Sequence, residues 1–177
     1  MGISYNTKFV KGSDVPTSLE DVFNPKWNSK TGSTPYPTGL YQFAARDMVG
    51  YEFMKHYTQR LAKKIGRLFS CNTMERVGSG EFILLIFDCG HDDALRLLRR
   101  VAPLDHATVK DRVRIYIIYF GVPKQAKYSN AGMLFSNFLN TKEGQKLQWD
   151  LAGHVLYIYA EARTRVPVQK VVAQKGS

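Results

Sequence analysis

With 177 residues, 44% hydrophobic and 12% aromatic, the chain can bury a core of one domain, or of a domain with an appendage, and wholesale disorder is excluded. Its net charge of +10 brings nucleic acid, an anionic surface or an anionic small ligand forward as partners. The longest apolar runs, 82–87 and 115–120, have strand length and are far too short to span a bilayer.

In chain order, residues 3–6 read as a strand and 18–23 as a short helix. Residues 24–38, dense in Pro, Gly, Ser and Thr, read as a loop. A long amphipathic helix is predicted over 39–68, broken near 48–50. Its cations Arg60, Lys63, Lys64 and Arg67 fall opposite Met54, Tyr57, Leu61 and Ile65, the pattern of a solvated face. Nothing resembling a helix-turn-helix or an aromatic RNA platform accompanies them, so nucleic acid is the less favoured partner. A short helix over 73–77, a strand over 82–87, a helix over 92–101 and a strand over 113–120 follow.

Two closing helices complete the pattern. The first, behind a Ser129 cap, places Ala131, Leu134, Phe135 and Phe138 on one face. The second is capped by Thr141, carries Leu147 and Leu151, and stops at Gly153. The tail beyond Pro167 reads as frayed or as one more short helix. Helices alternating with apolar strands predict an α/β fold, a mixed sheet flanked by helices with a C-terminal helical arm. Two cysteines, Cys71 and Cys89, make no disulfide framework; they read first as small buried hydrophobes, and as a bridge only if the fold brings them together.

Strand C-terminal ends and helix N-termini are where α/β folds hold ligands. Three places qualify. The loop Pro35-Tyr36-Pro37-Thr38-Gly39 opens a helix, and its amides with the Thr38 hydroxyl and Gly39 could hold an anion; an ordinary helix cap accounts for it equally well. The segment Asp88-Cys89-Gly90-His91-Asp92-Asp93 follows an apolar strand. Too few ligands converge there for a metal, and a polar role for Asp88 or His91 at a cleft is preferred. On the strand 113–120, Tyr116 and Tyr119 face opposite ways, and Tyr119, nearer the end, is the better candidate. No nucleophile elbow, P-loop, dinucleotide fingerprint or zincin motif is present, so no catalytic residue, metal or cofactor is assigned and no enzyme is expected.

The string from Asn130 to Lys146, with its N-A-x-x-x-F-x-x-F-L spacing followed by Thr141-Lys142-Glu143-Gly144-Gln145-Lys146, resembles the C-terminal helix pair of bacterial extracellular solute-binding proteins of ABC transporters. Three further segments resemble the same family in the same order. They are Tyr5-Asn6-Thr7-Lys8 with Asn24-Pro25-Lys26-Trp27, then residues 75–90, then residues 115–131 around Val122-Pro123-Lys124. The resemblance implies one lobe of the type II periplasmic-binding architecture over residues 1–128, with 129–177 as the segment that returns to the other lobe. Entering at Met1-Gly2 without a charged-then-apolar leader, the chain reads as a C-terminal portion. As it stands it would remain cytoplasmic, whereas the family is periplasmic or extracellular.

The resemblance also implies capture of a small polar or anionic solute, and an ABC permease as partner of a full-length form. It places the loop at Thr38 on the interlobe cleft. Iron-binding members carry an adjacent tyrosine pair soon after the strand ending near Asp88; this chain has none, so a ferric role is not carried over. The apolar faces of the closing helices, deprived of the other lobe, are expected to fold back or to pair in a homodimer. The alternative function is a repurposed basic module that binds a macromolecule.

Overall fold

The computed structural model describes residues 2–89, 102–111 and 119–152. Contacts divide the chain into two units, Met1–Arg114 and Ile115–Ser177.

The first unit is built on a five-stranded mixed sheet. Its strands are β1 (Ile3–Asn6), β2 (Thr31–Ser33), β3 (Arg67–Leu68), β4 (Leu84–Ile86) and β5 (Leu104–Ala107), in the spatial order β3-β2-β4-β1-β5. β2 runs parallel to both β3 and β4, while β1 runs antiparallel to β4 and β5. The pairs Ile3 with Ile86 and Ile3 with Ala107 fix the register on both sides of β1.

Because strand side chains alternate, β4 feeds two cores. Leu84 and Ile86 join Ile3, Tyr5 and Phe87 on one face. Leu85 joins Phe69, Met74, Val77, Phe82 and Leu104 on the other. Leu84, Leu85 and Ile86 are all fully buried, each stabilising the fold by about 1.5–3 kcal/mol relative to exposure.

The first face is covered by α1 (Pro37–Phe43) and α2 (Tyr51–Ala62), which buries Met54, Tyr57 and Leu61 at helical spacing. Tyr57 donates a 2.8 Å hydrogen bond to the Leu19 carbonyl, and its ring packs edge-on against Phe23 and Phe87. Burial pushes the Tyr57 hydroxyl far above its ordinary value, so it stays a donor. The second face is covered by α3 (Glu75–Gly78), whose last carbonyls, Val77 and Gly78, accept from the Asn6 amide at 2.7 and 3.1 Å.

Several expectations need correction. The predicted loop 24–38 contains strand β2, and the predicted helix 39–68 ends at Ala62, giving way to β3. Its break spans residues 44–50, with Gly50 at φ 89°. The segment 18–23 is a 3-10 helix, Leu19–Phe23, with the Asp21 carboxylate accepting the Thr17 and Ser18 amides. Strand β5 was not anticipated. The helix expected over 92–101 and most of the strand expected over 113–120 lie outside the described residues; Tyr119 and Phe120 are in no regular element. The cysteines form a disulfide, Cys71–Cys89. Among the described residues, no helix is long and apolar enough to cross a membrane.

In the second unit, α4 (Ser129–Leu139) and α5 (Lys142–Ala152) form a helix pair. Thr141 caps α5 by accepting the Gly144 amide at 3.1 Å, whereas Ser129 begins α4 without capping it. Gln145 and Gln148 both donate to the Leu139 carbonyl, at 2.5 and 2.8 Å, satisfying the open end of α4.

Candidate functional site

Since β2, β3 and β4 are parallel, their C-terminal ends reach one edge of the sheet, and the loops following them meet there. Each loop is fastened to the other two. The Thr34 hydroxyl, after β2, donates to the Phe87 carbonyl, after β4, at 2.6 Å. The Tyr36 hydroxyl, also after β2, shares a 2.7 Å hydrogen bond with Ser70 Oγ, after β3. Cys71, after β3, is bonded to Cys89, after β4. Backbone ties add to these, Phe69 N–H to the Ser33 carbonyl and Thr34 N–H to the Ile86 carbonyl.

The loop after β4 is held residue by residue. Phe87 sits at φ 54°, a left-handed conformation that a large aromatic side chain rarely takes. Asp88 is fully buried. Its carboxylate accepts from Gly2 N–H at 3.2 Å, from the Ser4 hydroxyl at 2.5 Å and from His106 Nδ1 at 2.9 Å. Burial alone would raise this carboxyl, but the His106 ring and the hydrogen bonds from His106 and Ser4 outweigh it and hold it well below the usual carboxylate range. The Ser-His-Asp grouping is not a catalytic arrangement, since serine and histidine both address the carboxylate rather than each other.

Of the residues singled out from sequence, Thr38 and Gly39 lie in the first turn of α1, directly after the β2 loop, and Asp88 in the loop after β4. The fold brings these two segments to one edge, but the Asp88 carboxylate is turned inward. His91 lies outside the described residues. Tyr119 belongs to the second unit, where it is 86% exposed.

Ser70 was missed, and the disulfide is the alternative that the sequence left second to two buried thiols. Each cysteine stands three positions beyond the end of its strand, Leu68 of β3 and Ile86 of β4. Among the described residues no group of three or more His, Cys, Asp or Glu side chains could hold a metal. A groove of about 370 Å³ lies elsewhere, among Asp14, Glu20, Asp21, Lys26 and Trp27. Its carboxylates are engaged: Asp14 with Lys26, Glu20 with Arg60, and Asp21 with the Thr17 and Ser18 amides.

No family profile matches the chain, and no curated protein matches it either. Solved structures do. The substrate-binding protein of an ABC transporter from Agrobacterium tumefaciens superposes with a TM-score of 0.65 at 14% identity, over 93% of this chain and 54% of that one. Iron-bound HitA from Pseudomonas aeruginosa gives 0.59 at 21% identity, over 85% and 51%. The spermidine/putrescine-binding protein PotD from Streptococcus pneumoniae, in complex with calcium and HEPES, gives 0.61 at 14%, over 86% and 49%. The chain therefore has the fold of part of a periplasmic solute-binding protein. It spans about half the length of the structures it matches.

Proposed function

We propose that the chain is a non-enzymatic solute-binding module that captures a small polar or anionic solute, ancestrally for ABC-type uptake, and works with a permease when carried in a full-length form. The observation that supports this is the meeting of three loops at the C-terminal edge of parallel strands, in a fold shared with proteins of that role. The net charge of +10 favours an anionic solute. The solute sits against the start of α1 at Thr38 and Gly39. The loop that carries Asp88 comes to the same edge of the sheet.

A thermal-shift screen against inorganic anions, carboxylates, amino acids and polyamines tests the reading, because a ligand bound only by the native state raises the melting temperature. A hit whose bound structure places it at this edge supports the proposal. A hit on the opposite edge of the sheet overturns the site. Nucleic-acid binding that falls steeply with salt would instead assign the basic-module function.

A further inference from the structure

The loops at the candidate edge are joined in a closed ring. Thr34 ties the β2 loop to the β4 loop, Tyr36 ties the β2 loop to the β3 loop, and Cys71–Cys89 ties the β3 loop to the β4 loop. The three sides are unequal. The β4 loop keeps independent anchors at Phe87, through Thr34, and at Asp88, through Gly2, Ser4 and His106. Beyond Phe69, among the described residues, the β3 loop has only the disulfide and the Tyr36–Ser70 hydroxyl pair to join it to the other two loops; its remaining bonds, Asn72 N–H to Ser70 Oγ and Thr73 N–H and Oγ1 to the Ser70 carbonyl, are internal.

We propose that the Cys71–Cys89 disulfide is a redox-sensitive latch on this edge. Oxidised, it holds residues 69–73 against the β2 loop so that Tyr36 and Ser70 stand in register. Reduced, it frees that loop and uncouples the pair. The inference rests on the proposed solute site only for what the ring surrounds.

The exchange needs a dithiol. One of its thiolates attacks Sγ of Cys89, the exposed member of the bridge, forming a mixed disulfide and expelling the Cys71 thiolate, whose residue is only 3% exposed. The second thiol of the reagent then displaces Cys89. The protein ends with two thiols and the reagent with one internal disulfide, so two electrons and two protons have passed to the protein. Attack at the exposed end with the buried sulfur as leaving group makes opening feasible without prior unfolding.

Hydrogen exchange read by mass spectrometry tests this on the full chain without any solute. Four samples are compared: oxidised, reduced with dithiothreitol, reoxidised, and Cys71→Ser/Cys89→Ser. Reduction and the double substitution are expected to speed exchange in 69–73 and in 33–36 about tenfold, with α2 and β1 unchanged and reoxidation restoring both. In the oxidised protein, Tyr36→Phe should speed 33–36 while leaving the disulfide intact. Unchanged exchange in 33–36 on reduction overturns the latch. A uniform rise across α2 and β1 also overturns it, because the bridge would then serve global stability alone. A failed solute screen would refute the functional reading and leave this result standing.

Discussion

Asp88 concentrates more of the fold's polar accounting than any described neighbour in its loop. One carboxylate satisfies a β1 amide, a β1 hydroxyl and the ring of a β5 histidine, all in surroundings without solvent. Removing it takes away the acceptor these groups share, and a buried donor that loses its acceptor costs about 1–3 kcal/mol. Asp88→Ala should lower the free energy of urea unfolding by that order, and Asp88→Asn by less. The pH dependence has a definite sign. The folded carboxyl lies below its ordinary value of 3.8, so its contribution is fully present above about pH 4 and is lost as pH falls through the folded value. Asp88→Asn should therefore flatten the acid limb of the stability curve; an acid limb identical to that of the parent would refute the assignment. Asp88 was visible in sequence as a polar residue after an apolar strand. Its inward orientation was not, because Ser4 and His106 lie 84 and 18 positions away.

At the level of elements, amphipathic spacing located α2, α4 and α5, since those helices carry a regular apolar stripe. Spacing failed for β2, whose Thr-Gly-Ser sequence reads as a turn. Gly32 is there because a Cβ would lie 2.1 Å from the Phe69 ring, a packing demand invisible locally. Strand β5 failed likewise: Leu104-Asp105-His106-Ala107 is extended through pairing with β1, not through β propensity. Packing explains the order Gly144-Gln145. A Cβ at Gly144 would stand 2.0 Å from the Phe138 carbonyl oxygen, and the Gln145 amide reaches the neighbouring Leu139 carbonyl. Gly144→Ala should force α4 and α5 apart and cost about 1–3 kcal/mol, read as earlier melting of the helical signal. Unaltered melting would show that the turn relaxes freely.

On the scale of the whole molecule, the helix pair α4–α5 leaves its apolar residues in solvent. Leu134 is 72% exposed, Phe135 60%, Leu147 43% and Leu151 78%. Contiguous apolar surface of this kind rarely persists on a soluble monomer. The isolated 177-residue chain should therefore self-associate, and the symmetric dimer is the simplest closed arrangement. Light scattering should give twice the chain mass, and Leu134→Asp with Leu151→Asp should return it to the monomer. A parent chain that stays monomeric at micromolar concentration would overturn this.

The position of β1 carries a consequence of timing. Strand β1 lies inside the sheet, between two strands made much later: Ile3 pairs with Ile86 on one side and with Ala107 on the other. Pairing across such separations is slow, because the intervening chain must be closed before any contact repays it. A nascent chain halted before residue 84 would hold β1 with both edges open, ready to pair with a neighbour. One halted past residue 107 would have both partners for it. Between those two lengths the growing polypeptide is most in need of a chaperone, and the slot between β4 and β5 is where a competing strand would enter.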